Sequence, residues 1–266
     1  MSRIAFLLGN LTDGGSEGKT VRLANRLSAS GHDVHVIYLG PPHTLRPAIE
    51  ESVSVEFLDR RGKYSIRAFR HLKDYVGKHD IEVVFCINHY PLVYGWPVCR
   101  FGGRKRSCIG AMNTYEFTSL RDRFFMLIYA FILRRCDRIL FGSLAQKQLW
   151  MRKYRLRDEK SMVIYNGVDV DYFGEAGDSA GDLRASLGIA DNAVVIGIVA
   201  QLRPEKSIQD LLEAMRLLSY PADPGAVLLL VGDGPEREAL QSYVDAHDLA
   251  AGVRFCGRAD DVRPYF

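Results

Sequence analysis

The sequence is poor in the features that mark secreted, membrane-spanning or metal-binding proteins. Its five cysteines are odd in number, scattered and without a CxxC pair, which argues against a disulfide framework or a zinc site. The longest apolar run, residues 124–133, is too short to cross a bilayer. An apolar run begins at residue 4, which leaves no room for a signal peptide before it. These absences favour a cytoplasmic protein with reduced core thiols.

Charge is unevenly distributed along the 266 residues. Residues 1–172 hold 27 Lys and Arg against 17 Asp and Glu, whereas residues 173–266 hold 8 against 15. A basic half is typical of proteins that meet phosphate-bearing substrates, anionic membranes or nucleic acid. Because no RNA- or DNA-binding motif is recognisable, we expect no nucleic-acid partner. A solvated basic surface without any partner is the remaining alternative.

Apolar runs rich in β-branched residues alternate with amphipathic stretches along the whole chain. This alternation predicts βαβ units and parallel sheets that are covered on both faces. The predicted strands are residues 3–8, 33–39, 53–58, 82–87, 107–112, 138–141, 162–165, 193–199, 226–231 and 253–256. The predicted helices include residues 19–30, 65–78, 143–154, 207–218 and 235–249.

A turn at Asn166-Gly167 and a Gly-rich stretch at residues 175–181 separate two series of strands. We therefore predict two doubly wound α/β domains, residues 1–172 and 173–266. The second series has only three strands, which make a poor core for an open parallel sheet. The second domain is therefore expected to be incomplete, and the chain to be a fragment.

A first candidate site lies at residues 199–206, which read VAQLRPEK. A buried strand ends there and a helix follows, so Arg203 and Lys206 are placed between a strand's carboxyl end and a helix's amino end. Free backbone N–H groups and the positive end of the helix dipole make such a junction suited to phosphate. Two solvated cations beside a helix are the plainer alternative.

Two Gly-rich turns occupy equivalent places after other strands. The turn at residues 12–20 reads TDGGSEGKT, and Gly14 and Gly15 would let backbone approach an anion. Its end resembles a nucleotide-triphosphate P-loop, but Asp13 stands where that template needs glycine. The turn at residues 231–236 contains Gly232 and matches a dinucleotide fingerprint only in part.

Other polar residues give weaker signals. Asp169 and Asp171 form a DxD-like pair, but they follow a turn in a connecting segment, and the seven histidines show no ligand spacing, so we predict no metal site. His89 lies just past one predicted strand, and Asn113 directly follows another. Since open α/β sheets bind ligands at the carboxyl ends of their strands, both are candidates for a binding site.

Taken in order, these motifs resemble glycosyltransferase family 4, the retaining nucleotide-sugar transferases with the GT-B fold. The resemblance covers the whole chain. It runs through GGSE at residues 14–17, IYNGVD at 164–169, LRPEK at 202–206, VGDGP at 231–235, and FCG at 255–257 followed by Asp261 and Val262.

The resemblance implies two Rossmann-like domains, the first holding the acceptor and the second most of the donor. A hexose would pass from a nucleotide diphosphate sugar to a glycan or lipid-linked acceptor with retention, in cell-surface polysaccharide biosynthesis, without cofactor or metal. Arg203 and Lys206 would be catalytic, stabilising the charge on the leaving diphosphate. The implied donor-binding residues are Gly14, Gly15, Arg203, Lys206, Gly232, Gly257 and Arg258.

The sequence departs from the family pattern at Asn113, where a histidine is usual beside the reacting sugar. Asparagine hydrogen-bonds a hydroxyl but transfers no proton near neutral pH. The family's paired glutamates would lie beyond Phe266, so we expect this chain alone to transfer sugar poorly. A non-catalytic remnant that binds a sugar nucleotide or lipid phosphate is therefore the alternative function.

The predicted helix at residues 65–78 also resembles the membrane-facing surface of some relatives, and residues 124–133 would join it. The predicted helix at residues 65–78 is rich in Lys and Arg, and residues 124–133 are apolar. Together they would place the protein peripherally on the inner face of the plasma membrane through anionic lipid. The competing interpretation makes residues 124–133 an ordinary core helix.

Overall fold

The computed structural model describes residues 1–113, 120–174, 179–218, 225–259 and 261–266. The chain forms two compact units, Met1–Gly167 and Val168–Phe266. The division falls five residues before the boundary expected at residue 172. The division between the two units comes directly after the turn at Asn166-Gly167, so the Gly-rich stretch at residues 175–181 belongs to the second unit.

The first unit is built on a seven-stranded sheet whose adjacent strands are all parallel. The strand order is β3-β2-β1-β4-β5-β6-β7, so each connection between neighbours crosses over one face of the sheet. The strands are β1 (Arg3–Leu8), β2 (Asp33–Tyr38), β3 (Ser54–Phe57), β4 (Val83–Ile87), β5 (Ser107–Met112), β6 (Arg138–Phe141) and β7 (Ser161–Val163).

Helices cover both faces of this sheet and enclose two apolar clusters. Ser65 and Ser143 begin two of these helices, and each hydroxyl accepts a hydrogen bond from the backbone N–H three residues later. The helices are α1 (Gly15–Ala29), α2 (Ile66–Lys78), α3 (Leu92–Phe101), α4 (Leu120–Leu133) and α5 (Leu144–Tyr154).

The second unit has a three-stranded parallel sheet of order β10-β9-β8. Apolar clusters lie on both of its faces, as in a doubly wound fold. Its strands are β8 (Val194–Val199), β9 (Ala226–Val231) and β10 (Val253–Gly257), and its helices are α6 (Val170–Gly174), α7 (Ser179–Ser186), α8 (Ile208–Leu217) and α9 (Arg237–Ala246).

All ten predicted strands are confirmed, with ends shifted by at most two residues. The helix predictions need more correction. Helix α1 begins four residues earlier than predicted, α9 begins two residues later, and α3 was not predicted. Residues 179–181, interpreted as linker, open helix α7, whereas residues 175–178 lie outside the described part of the chain.

Asp169 has a structural explanation that the sequence did not suggest. Its carboxylate accepts a hydrogen bond from the backbone N–H of Tyr172 at 3.0 Å, so it caps the short helix α6. The DxD-like pair is thus part of a helix start and not of a plain connecting segment. Within the described residues, no group of His, Cys, Asp or Glu has the arrangement of a metal site.

The apolar residues 124–133 form the greater part of helix α4. Met126, Tyr129, Ala130 and Leu133 are buried in the core, in keeping with the core-helix interpretation, while Leu127 is 65% exposed. Among the described helices, none has the length and apolar character that a membrane crossing requires.

Candidate functional site

A cavity of about 340 Å³ opens at the carboxyl edge of the seven-stranded sheet. This edge contains the point where the strand order reverses, between β1 and β4, and open α/β sheets bind ligands beside such a point. Strand ends supply its apolar walls, and helix α1 and the turns after β5, β6 and β7 supply its polar groups. Its apolar and aromatic lining includes Phe6, Phe85, Ile87, Met112, Phe141 and Tyr165.

Three polar side chains meet in this cavity. The ammonium nitrogen Nζ of Lys19, on helix α1, donates to Oδ1 of Asn113 at 2.7 Å and to Oδ1 of Asn166 at 2.8 Å. Asn113 directly follows β5, and Asn166 follows β7 by three residues. The cation is therefore held by two neutral oxygens, and neither of them cancels its charge.

The environment of Lys19 is partly desolvated, which lowers the pKa of its ammonium below the usual lysine value. A cation that has lost water and gained only neutral partners gains further stabilisation from an anion or a strongly polar hydroxyl. The physical chemistry of the cluster thus favours a ligand with negative charge or dense hydroxyl groups.

Asn113 is fixed by its backbone and leaves one donor unused. Its backbone N–H donates to Oδ1 of Asn88 at 3.1 Å, and its Oδ1 accepts from Lys19. Its amide nitrogen Nδ2 is buried, and within the described residues no acceptor lies in hydrogen-bonding geometry to it. An unpaired buried donor costs about 1–3 kcal/mol, which an acceptor on a bound ligand would recover.

His89, the other candidate at this edge, has a packing contact. Its ring lies against the ring of Tyr129 with the centroids 4.8 Å apart, in an edge-to-face arrangement. His89 follows β4 by two residues, as expected, but it does not line the cavity that holds Lys19 and Asn113.

Gly14 and Gly15 lie at the amino end of helix α1. Gly14 occupies the N-cap position, and a Cβ on it would collide with the carboxylate of Glu17. A Cβ on Gly15 would meet no atom within 4 Å, so Gly15 has open space in front of it. Helix α1 thus begins within this turn, and Gly15 is the glycine of the pair with open space beside it.

In the second unit, glycines bring three strand-end turns into close contact. Gly232 has φ of 135°, a conformation that L side chains rarely adopt, and its N–H donates to the carbonyl of Gly257 at 2.7 Å. A Cβ on Gly232 would collide with the carbonyl oxygen of Ala200, and one on Gly234 with that of Leu202. The turns after β8, β9 and β10 therefore pack backbone against backbone.

Arg203 and Lys206 belong to the turn after β8. A 3₁₀ turn, Pro204–Lys206, separates β8 from α8, and Ser207 then takes a left-handed conformation with φ of 48°. Arg203 lies 3.8 Å from the carboxylate of Glu205, with its side chain 46% exposed. At this distance and exposure the ion pair is weak, so Arg203 is available to a ligand.

Gly257 and Arg258 complete this edge of the second unit. Gly257 is the last residue of β10 and has φ of 69°, while the side chain of Arg258 is exposed. Within the second unit, the turns of Arg203, Gly232 and Gly257 thus lie at one edge of the sheet. The structure assigns Gly14, Gly15 and Asn113 to the first unit.

The sequence reasoning missed the role of Lys19 and Asn166. Lys19 belongs to the P-loop-like end of the turn at residues 12–20, and Asn166 belongs to a turn and to the IYNGVD motif, but the sequence predicts neither as a site residue. The rule that ligands bind at strand carboxyl ends, which selected Asn113, would also have selected Asn166, since both follow strands of the same sheet. The separation of 147 residues between Lys19 and Asn166 hides their contact.

Comparison with known proteins agrees with this architecture. Residues 13–172 match the model of Glycosyltransferase Family 4, and residues 180–266 match that of Glycosyl transferases group 1. An uncharacterized glycosyltransferase of Haemophilus influenzae is 21% identical over 100% of this chain and 72% of its own length. The phosphatidyl-myo-inositol mannosyltransferase of Mycolicibacterium smegmatis is 25% identical over 93% of this chain and 62% of its own length.

Among solved structures, that of Anabaena HepE in complex with UDP and glucose has a TM-score of 0.82 to this chain. It is 20% identical, and the alignment covers 100% of this chain and 72% of HepE. The resemblance noted in the sequence is confirmed, and so is the GT-B type of fold with its two parallel sheets. Because the first family model alone covers more than half of the residues, the chain belongs to glycosyltransferase family 4.

Proposed function

We propose that this protein transfers a hexose from a nucleotide diphosphate sugar to a glycan or glycolipid acceptor with retention of configuration, in cell-surface polysaccharide biosynthesis. In this proposal residues 173–266 hold most of the donor and residues 1–172 hold the acceptor. The observation that carries it is the shared sheet edge of Arg203, Gly232 and Gly257, where close backbone turns and an exposed arginine suit a diphosphate. The HepE complex with UDP and glucose supports the donor class.

The chemistry assigned to these residues is electrostatic. As the bond between sugar and diphosphate breaks, negative charge grows on the leaving group, and Arg203 and Lys206 would stabilise it. Gly14, Gly15, Gly232, Gly257 and Arg258 would bind the donor, the glycines by letting it approach the backbone closely and Arg258 by its charge. Preorganised donors of this kind are each worth about a hundredfold to a thousandfold in rate. The arrangement calls for no metal ion.

The cavity of Lys19 and Asn113 would hold the reacting end of the acceptor. Lys19 would bind a phosphate or hydroxyl oxygen, and the unused Nδ2 of Asn113 would donate to a second oxygen. Asn113 transfers no proton near neutral pH, so the acceptor hydroxyl would pass its proton directly to an oxygen of the departing diphosphate. The name of the Mycolicibacterium relative, a phosphatidyl-myo-inositol mannosyltransferase, supports a lipid-linked acceptor.

Nucleotide binding tests the donor site directly. UDP, GDP and ADP are titrated calorimetrically into the protein, and the nucleotide that binds is then titrated into Arg203→Ala and Lys206→Ala. We expect each substitution to weaken binding by about tenfold, the loss of one charge-assisted contact. Arg216→Ala, on helix α8 and paired with Glu213, is the matched control and should leave binding unchanged. Unchanged affinity in both Arg203→Ala and Lys206→Ala would overturn the assigned clamp.

A second candidate function is favoured by one specific observation, the asparagine at position 113. A protein that binds a sugar nucleotide or lipid phosphate without transfer would need the cations but no proton-transferring group. Release of nucleotide diphosphate from a bound donor separates the two functions. Release that depends on added acceptor supports the transferase, whereas tight binding without release supports the non-catalytic protein.

A further inference from the structure

A second, larger cavity lies at the opposite edge of the first unit's sheet. Its volume is about 690 Å³, within the range of small-molecule sites. Arg106, Asp137 and Lys160 line it, and each directly precedes one of the strands β5, β6 and β7. Asn113 follows the carboxyl end of β5, a six-residue strand of about 20 Å. The two cavities therefore lie at opposite ends of the same strands.

The lining of this cavity, called here the amino-edge cavity, is strongly basic. Eight cations and a single carboxylate, that of Asp137, face it. Asp137 also accepts a hydrogen bond from the backbone N–H of Cys108 at 2.9 Å, which holds the carboxylate on the protein. The lining cations are Arg100, Lys105, Arg106, Arg134, Arg135, Arg155, Arg157 and Lys160.

The fixed cations of the amino-edge cavity are held by neutral carbonyl oxygens. Arg106 is 7% exposed and donates to the carbonyls of Ile81 and Arg104 at 3.0 and 2.9 Å. Arg134 donates to the carbonyl of Tyr154, and Lys160 to that of Cys136 at 2.9 Å. Carbonyls orient these groups without cancelling their charge, so the positive potential remains.

Ion pairs do little to reduce this charge. Within the described residues, Arg157 is the one lining cation with an ion pair, at 3.2 Å from Glu159, and both side chains are largely exposed. Helices α3, α4 and α5 end at this edge, and each carboxyl end contributes about half a negative charge. Three such helix ends offset only a small part of the charge of eight cations. The cavity therefore keeps a net positive charge that a bound anion would neutralise.

The shape of the cavity indicates a soluble ligand. Its floor includes the buried side chains of Cys99, Cys108 and Arg106, and one wall carries the aromatic pair Trp96 and Phe101, with ring centroids 5.8 Å apart. A recess that reaches buried groups admits a compact molecule, whereas a bilayer surface meets only protruding side chains. We propose that the amino-edge cavity binds a soluble, multiply charged phosphate compound of the pyrophosphate class.

Tryptophan fluorescence can report this cavity specifically. The sequence holds two tryptophans, and Trp96 lines the cavity while Trp150 is 1% exposed in the core. Pyrophosphate is titrated into a protein that carries Arg203→Ala and Lys206→Ala, which removes the proposed donor clamp. We expect a saturable change in fluorescence that weakens with added salt and that disappears with Trp96→Phe.

Charge substitutions at exposed positions then test the assignment. Arg100→Glu with Lys105→Glu should weaken pyrophosphate binding by about tenfold or more, because two attractive charges become repulsive. Arg67→Glu with Lys73→Glu is the matched control, since it makes the same change of net charge on exposed positions of α2. Circular dichroism checks that both variants keep their fold, and Arg100→Gln with Lys105→Gln gives a milder second variant.

Three outcomes would overturn the proposal. One is a fluorescence signal that pyrophosphate does not change, and another is equal weakening in the α2 control, which would mean that only net charge matters. The third is binding to phosphatidylglycerol vesicles, lost in the Arg100 and Lys105 variant, without binding of pyrophosphate. That result would assign the cavity to a lipid headgroup.

Discussion

The ammonium nitrogen of Lys19 lies 2.7 Å from the amide oxygen of Asn113, although 94 residues separate the two along the chain. This contact joins helix α1 to the end of β5 across the carboxyl edge of the sheet. It brings a partly desolvated cation beside the residue that departs from the family pattern. The function of the first unit is best tested at this pair.

Replacing Lys19 should change how stability depends on pH. Burial lowers the pKa of Lys19 in the folded protein, so the unfolded chain binds more protons between that pKa and the ordinary lysine value. The free energy of unfolding contributed by Lys19 therefore rises with pH through this window. Urea denaturation at several pH values up to about pH 10 should show the unfolding free energy of the wild type rising with pH relative to that of Lys19→Met.

Lys19→Arg serves as the control for this experiment, because a guanidinium stays charged over the whole range. It should also lack the rise while keeping a cation in the cavity. If the unfolding free energies of the wild type and Lys19→Met changed in parallel with pH, burial would not lower the pKa of Lys19, and this explanation would be contradicted.

Asn113→Asp should strengthen the contact with Lys19 and weaken ligand binding. A carboxylate at this position pairs with the ammonium of Lys19. Its negative charge stabilises the charged form and raises the pKa of Lys19, whereas burial lowers it. The variant should be at least as stable as the wild type near neutral pH, by thermal denaturation. It should bind an anionic acceptor group less well, because the cation is now neutralised.

Inorganic phosphate is a suitable probe for the Asn113→Asp variant, because it tests anion binding without a known acceptor. Asn88→Asp, at the residue that accepts from the backbone N–H of Asn113, adds the same charge one contact further from Lys19. We expect a smaller loss of phosphate binding in that variant. Equal losses of phosphate binding in the two variants would mean that the added negative charge weakens binding in general, and not through its contact with Lys19.

Gly232→Ala should destabilise the second unit strongly. The backbone of Gly232 has φ of 135°, and a Cβ there would run into the carbonyl of Ala200. Strain and collision together should cost about 2–4 kcal/mol of unfolding free energy, measured by urea denaturation. Gly197→Ala on β8 is the control, because its Cβ would have ordinary contact, 3.9 Å from the carbonyl oxygen of Tyr265. Similar stability losses in both variants would contradict this account.

The strands could be predicted from the sequence, and helix α3 could not. Most strands contain a short run of apolar residues, many of them β-branched, and such runs are recognisable without tertiary information. Helix α3 contains Gly95 and Pro97, which disfavour a helix locally. Gly95 is explained only by packing, since a Cβ there would collide with Sγ of Cys86 on β4.

The candidate site was predictable only in part for a related reason. Position after a strand identified Asn113, Arg203 and Gly232, because strand ends are visible in the sequence. The partners of Asn113 depend on the order of strands in the sheet, which brings α1, β5 and β7 to one edge. Strand order is a tertiary property, so the cluster of Lys19, Asn113 and Asn166 emerges only in the folded protein.

His35 should make the first unit less stable in mild acid. The side chain is 2% exposed, and burial lowers its pKa, with His79 adding to the effect and Asp33 opposing it. Its Nδ1 lies 2.9 Å from the hydroxyl of Tyr75, and its Nε2 lies 3.1 Å from the carboxylate of Asp33. Since the unfolded chain takes up the proton first, stability falls as pH drops from the ordinary histidine value to the lowered one.

His35→Gln removes the titrating group while keeping a polar side chain beside Tyr75. The unfolding free energy of the wild type should decline between about pH 7.5 and about pH 5 more steeply than that of the variant, in urea denaturation followed by circular dichroism. Because the pKa of His35 is lowered by folding, the unfolding free energy of the wild type relative to that of His35→Gln should be higher above this pH window than below it. An equal or steeper decline in His35→Gln would show that another group governs acid stability. In that case protonation of His35 would not contribute to the pH dependence of unfolding.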